Sequence, residues 1–228
     1  AGLLGIEIDQ PVYKVAPKKT KLITSHSSPK IDKIVRINMN YSNNLVSELL
    51  LLKTANKIKG SPAQSMSEAI QLIKAWYQKQ IPEINWQKIN WQNGSGLSSQ
   101  TKISPAQMLQ ILKFADSKQY NKRSFFSYLP ASGMRGTLKN RLTEPELALR
   151  IWAKTGTMYF VNSLSGYIFT DEPKKYLFVI FINDAYKRKS IDTGLKSHKR
   201  EKLISQSADW KKRALELQSN VLHKWITK

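Results

Sequence analysis

The chain has 228 residues, 41% of them hydrophobic, which suits one domain or one large domain with a small appendage. It carries no cysteine, so disulfides, thiolate metal sites and a thiol nucleophile are excluded. The net charge of +21 and pI near 10.0 favour polyanionic partners such as nucleic acid, anionic lipid or anionic polymer, without choosing among them.

No apolar run reaches the length of a membrane-spanning helix. Ala1-Gly2-Leu3-Leu4-Gly5-Ile6 lacks the basic start and cleavage site of a signal peptide. It reads as the end of an element that begins upstream, so the given start is expected not to be a natural one. Residues 14–21 are basic and proline-interrupted, and read as loop or edge strand.

Residues 31–59 are helical in pattern. Ile31, Ile34, Val35 and Met39 recur at helical spacing, and Leu45, Leu49 and Leu52 repeat it. Tyr41-Ser42-Asn43-Asn44 is a polar break with N-cap chemistry between the two helices. Residues 66–80 form another amphipathic helix, ending before Pro82.

Residues 86–99 are turn-rich around Asn93-Gly94-Ser95-Gly96. Ser104-Pro105 opens a further helix with an apolar side of Leu109, Leu112 and Phe114. Gly133 and Gly136 mark another loop. Strands are then expected over residues 148–158, 163–170 and 176–183. The last, an unbroken apolar run, reads as a central strand covered on both faces. Asp171-Glu172-Pro173 turns one strand into the next as an antiparallel hairpin. Residues 187–200 read as a charged loop. A closing helix from Glu201 should pack on the sheet through Leu203, Trp210, Ala214, Leu217, Val221 and Trp225. This order implies an α+β fold: an antiparallel sheet flanked by helices. The chain divides as a connecting segment (1–30), a mainly helical part (31–148) and a part of strands with the closing helix (149–228).

Two short motifs carry chemistry. Lys154-Thr155-Gly156-Thr157 lies in a strand-like segment. An edge-strand lysine can set its ammonium against a carboxylate or a reacting hydroxyl, and a neighbouring glycine lets a ligand approach. Free strand N–H groups can pair with an extended peptide or donate to an oxyanion. The plainer reading is an exposed lysine and a strand bend. Ser42-Asn43-Asn44 can point a Ser and an Asn into one site from a tight turn, or can simply cap a helix. His26, His198 and His223 are far apart and read as surface histidines, so no metal and no cofactor is expected.

Taken together, and in this order, the two motifs resemble the Ser-x-Asn and Lys-Thr-Gly signatures of the serine β-lactamase and penicillin-binding-protein superfamily. Further segments are similar to its class C, low-molecular-mass D-Ala-D-Ala carboxypeptidase/endopeptidases. They are Ser25-His26-Ser27-Ser28-Pro29 with Ile34, and Ser42-Asn43-Asn44-Leu45 with Glu48. They continue with Asn93-Gly94-Ser95-Gly96-Leu97-Ser98, then Leu129-Pro130 with Ser132-Gly133, then Gly136-Thr137-Leu138 with Arg141. Residues 153–157 and Ser165-Gly166-Tyr167 complete the resemblance, which covers nearly the whole chain.

The resemblance implies a transpeptidase-like fold, incomplete at its N-terminal side. It implies a penicillin-binding enzyme that cuts peptidoglycan stem peptides ending in D-Ala-D-Ala through an acyl-enzyme. Ser42 would relay a proton to the leaving nitrogen, Asn44 would bind the substrate amide, and Lys154 would support Ser42 and attract the terminal carboxylate. Thr155, Gly156 and Thr157 would bind substrate, with the Thr157 N–H forming half of an oxyanion hole. Expected partners are such peptides, β-lactams and, as further candidates, anionic cell-wall polymers, in a periplasmic or otherwise extracytoplasmic location. No nucleic acid is expected.

Two departures stand out. Asn93 replaces the family's Asp, removing a charge. The Ser-x-x-Lys that holds the family's nucleophile is expected upstream of this chain. The literal match Ser27-Ser28-Pro29-Lys30 reads as a decoy, because proline interrupts it and it lies too close to Ser42. The chain alone is therefore expected to be inactive. The rival readings are a non-catalytic peptidoglycan-binding homologue and a nucleic-acid-binding module. The six tryptophans fit core packing better than the latter.

Overall fold

The computed structural model describes residues 15, 21–172, 174–193 and 197–227. The readings of residues 1–6, of most of residues 14–21 and of Pro173 lie outside them. Residues 21–30 are exposed and carry no regular structure.

Helix α1 (Ile31–Tyr41) and helix α2 (Asn44–Lys59) flank the polar break as expected. Ser42 ends α1 in the left-handed region, and the Asn43 side chain accepts from the Val46 N–H to cap α2. The buried face of α2 is Leu51 and Ala55, while Leu45 and Leu49 are exposed, so the expected leucine face is rotated. Helix α3 (Met66–Gln80) packs on it through Ala69, Ile70 and Ile73.

A second cluster, Ile81, Ile84, Trp86 and Ile89, joins α3 to helix α4 (Pro105–Asp116). Ser104 and Gln107 close a reciprocal capping box at the start of α4. A two-residue hairpin, β1 (Gln119–Tyr120) and β2 (Arg123–Ser124), leads through short 3-10 turns to the main sheet.

That sheet is antiparallel, in the order β3 (Ile151–Met158), β4 (Val161–Phe169), β5 (Lys175–Asn183). Strand β3 starts three residues later than the pattern suggests. Trp152 and Ala153 are paired at the outer edge by residues 130–131, and Ser132 fixes the turn before Ile151. Strand β5 is not central: β4 is the middle strand, and β5 lies on the outside among the described strands. Its apolar run reflects contact with α4 on one side and Trp225 on another, not pairing on both edges.

Residues 187–192 and 197–200 are helical, not loop. Asp184 accepts from the Lys187 N–H and caps helix α5 (Ala185–Asp192), which Arg188 and Asp192 brace by an ion pair one turn apart. Helix α6 (Ser197–Ile226) closes the chain over the sheet. Its buried side chains are Ser207, Ala214, Gln218 and Leu222, whereas Leu217 and Trp225 turn half out. Gln218 is buried because Arg141 Nη2 donates to its Oε1 at 3.0 Å, a polar anchor that hydrophobic spacing cannot reveal. Leu222 meets Leu138, Leu147, Ile151, Ala153, Leu164, Ile168 and Phe178 in the sheet's core.

Candidate active site

Strand alternation decides which groups of β3 reach the site. Ser132 N donates to Ile151 O at 2.9 Å and Ala153 N donates to Pro130 O at 3.0 Å. The backbone groups of residues 151 and 153 thus point away from β4. Two and four residues on, Thr155 and Thr157 face the same outer edge, where the described residues supply no backbone partner. The Lys154 side chain projects from the sheet toward the α1–α2 junction. There Nζ donates to Ser42 Oγ at 3.0 Å and to Thr155 O at 2.7 Å. These two residues are 112 positions apart in the chain. Burial pushes the Lys154 ammonium below the ordinary lysine value.

Gly156 leaves room that a side chain would close: a Cβ there would lie 2.4 Å from Ser163 Oγ. Thr155 Oγ1 donates to Thr137 Oγ1 at 2.9 Å, and Asn162 Nδ2 reaches Thr157 Oγ1 at 3.5 Å. Asn44 is the first residue of α2 and is exposed, one turn from Glu48. The structure therefore brings Ser42 against Lys154 at the corner between the α1–α2 junction and β3, with Asn44 two residues beyond Ser42 and Thr155–Thr157 continuing along the strand.

Glu48 fixes the loop beside them. Its carboxylate accepts from the N–H groups of Gly94 (2.8 Å) and Ser95 (3.1 Å). Burial opposes its ionisation, but the Ser95 side chain and those two N–H groups outweigh it and hold the carboxyl below the usual range. Gly94 must be glycine, because a Cβ would fall 2.6 Å from Ser47 O. Asn93 Oδ1 accepts from Gly96 N at 3.0 Å, closing its own turn as a carboxylate oxygen would. Asn93 thus keeps the acceptor that closes the turn, while it lacks a carboxylate's charge and second acceptor oxygen.

Neither literal Ser-x-x-Lys match can serve as a nucleophile with its base. Ser27 to Lys30 is exposed and irregular. Ser99-Gln100-Thr101-Lys102, which the sequence reading passes over, is a turn leading into a bridge with Asn90, and Ser99 bonds to Asp192. Neither sets its lysine one helical turn from its serine. Thr137 is also missed by sequence reasoning as a site residue. It follows a glycine in a loop, and its link to Thr155 exists only in three dimensions. All three histidines are exposed, and among the described residues no His, Asp and Glu cluster could hold a metal. Among them, too, no helix is long and apolar enough to cross a membrane.

Residues 2–202 match the D-Ala-D-Ala carboxypeptidase 3 (S13) family. The chain is 30% identical over 183 residues to the D-alanyl-D-alanine carboxypeptidase DacB of Haemophilus influenzae, covering 79% of this chain and 37% of that protein. It is 26% identical over 166 residues to the penicillin-sensitive carboxypeptidase A of Dictyostelium discoideum, covering 69% of this chain and 31% of that one. The solved structure of penicillin binding protein 4 from H. influenzae in complex with a β-lactam superposes with a TM-score of 0.66. That match has 29% identity and covers 80% of this chain and 41% of that one. The chain thus spans well under half the length of these relatives.

Proposed function

This chain belongs to the D-Ala-D-Ala carboxypeptidase 3 (S13) family, and from that membership we propose that it supplies two of the three catalytic parts of a serine-type D-alanyl-D-alanine carboxypeptidase/endopeptidase. The observation that carries the reading is the 3.0 Å bond from Lys154 Nζ to Ser42 Oγ. A hydroxyl has one proton and two acceptor lone pairs. With Lys154 donating to its oxygen, Ser42 keeps its own proton for the nitrogen that leaves when an acyl-enzyme forms. Lys154 can then replace that proton, and its lowered affinity for protons eases the transfer.

Asn44 presents its amide to the substrate backbone. The outward edge of β3 takes an extended peptide by strand addition, and the Thr157 N–H meets the developing oxyanion. The hydroxyls of Thr155 and Thr157, with the ammonium of Lys154, receive the terminal carboxylate. Gly156 lets that peptide lie close to the strand.

The acylated serine and its lysine base come from a helical Ser-x-x-Lys outside these elements, so the 228 residues alone do not turn over. Tyr41, Leu45 and Leu49 stand 70%, 67% and 53% exposed beside Ser42. They offer an apolar surface against which that helix can seat. The substrate is a peptidoglycan stem peptide ending in D-Ala-D-Ala, and β-lactams acylate the same site. The setting is extracytoplasmic, the periplasm in a Gram-negative cell. There a surface with 37 Lys and Arg against 16 Asp and Glu draws in anionic wall polymers.

The test is D-alanine release from a peptide ending in D-Ala-D-Ala by a form that carries the helical Ser-x-x-Lys. Release that Lys154→Ala abolishes is the expected result. Undiminished release by that variant would contradict the reading.

A further inference from the structure

We propose that Thr137 is a positioning residue that aims the Thr155 hydroxyl at the carboxylate of a bound ligand. The inference rests on the assignment of Thr155 to carboxylate binding given above.

Thr155 Oγ1 donates to Thr137 Oγ1 at 2.9 Å. Each hydroxyl owns one proton. In the ligand-free molecule, the proton that Thr155 needs for an anion is therefore engaged by Thr137. The two hydroxyls can exchange roles by rotation alone. When a carboxylate arrives, Thr155 turns its proton to the anion and Thr137 donates its own proton to the Thr155 oxygen. The neutral bond is kept with its direction reversed, a charge-assisted one is added, and no polar group is left unmatched. The Thr137 donor then holds the Thr155 rotor in the direction of the ligand.

Backbone packing fixes where Thr137 stands, independently of its hydroxyl. It lies in the 3-10 turn Gly136–Leu138, which touches both α1 and β3. Gly136 has a φ of 63°, and a Cβ there would lie 2.7 Å from Asn40 Oδ1 and 2.8 Å from Asn40 O. The turn is thus seated directly on the last turn of α1, two residues from Ser42. Asn40 Nδ2 in turn donates to Tyr128 O at 3.0 Å, and Leu138 is buried in the sheet's core. Thr137→Val keeps the branched shape and removes only the proton. Thr137→Ser keeps the proton.

The experiment is an NMR titration of the 228-residue chain, following the backbone amides of residues 155–157. The ligands are acetyl-D-Ala-D-Ala and its C-terminal carboxamide. The wild type is expected to prefer the carboxylate, and Thr137→Val to lose about tenfold of that preference. Carboxamide affinity should be unchanged, and Thr137→Ser should keep the wild-type preference. Thr137→Val retaining the full preference would overturn the inference, and so would an equal weakening of both ligands. A wild type with no preference for the carboxylate would also overturn it. None of these outcomes bears on D-alanine release, which judges the proposed function separately.

Discussion

Ser42 sits at φ 57° and ψ 50°, a conformation that costs a non-glycine residue about 1–2 kcal/mol. The strain is kept because the left-handed turn aims the hydroxyl at Lys154, 3.0 Å away. Ser42→Gly is expected to raise thermal stability by about 1 kcal/mol, read from denaturation, while removing the hydroxyl that we propose relays the proton. A loss of stability would contradict this balance. Glu48 makes the second residue-scale prediction. Its carboxyl lies below its ordinary 4.5 in the folded state, so its stabilising effect is present above that pH. The effect is lost as pH falls through the lower folded value. The stability gap between wild type and Glu48→Gln should be steady above about pH 6 and close in acid, as followed by melting temperature against pH. A gap independent of pH would contradict the latch. Ser42, Asn44 and residues 154–157 were legible as site candidates from their motifs. Thr137 and the anchoring role of Glu48 were not, because each acts through contacts with residues distant in the chain.

At the scale of elements, Ser132 is what starts β3. Its Oγ donates to Leu147 O at 2.7 Å and accepts from Ile151 N at 3.1 Å, all of it buried. Ser132→Ala leaves Ile151 N without a partner, while Leu147 O keeps the Arg150 N–H at 3.2 Å, and should cost about 1–3 kcal/mol in chemical denaturation. A cost near zero would show that the turn before β3 is held by other contacts. This device also explains why the strand begins at Ile151 and not at Ala148, since hydrophobicity does not register a serine turn. Helix starts are readable at Asn43 and Ser104, where each side chain accepts from an N–H three residues on; Ser65 caps α3 in the same way but is not singled out by the sequence pattern. Helix α5 was hidden behind its charges, because the Asp184 cap and the Arg188–Asp192 pair read equally well as a solvated loop. Helix α6 was found, but its buried stripe runs through Gln218, which no apolar period selects.

For the whole molecule, the α+β reading and the family resemblance agree with the observed helices, the antiparallel sheet and the matched relatives. Strand β5 lies at an edge of the described sheet although its apolar run predicts a central strand, because such a run reports burial by helices as readily as by strands. The charge of +21 acts at this scale too. Retention of the chain on an anionic wall polymer should weaken steeply between low and physiological salt, measured by co-sedimentation. Salt-independent retention would assign the binding to something other than charge. The central claim is that this chain holds the proton-relay and carboxylate sides of a penicillin-reactive site, while the acylated serine lies elsewhere. The most direct test is intact mass after benzylpenicillin treatment, on the 228-residue chain and on a form carrying the helical Ser-x-x-Lys. One adduct is expected on the longer form, on the serine of that motif, and none on the 228 residues. An adduct on Ser27, Ser42 or Ser99 of the short chain, or no adduct on either form, would contradict it.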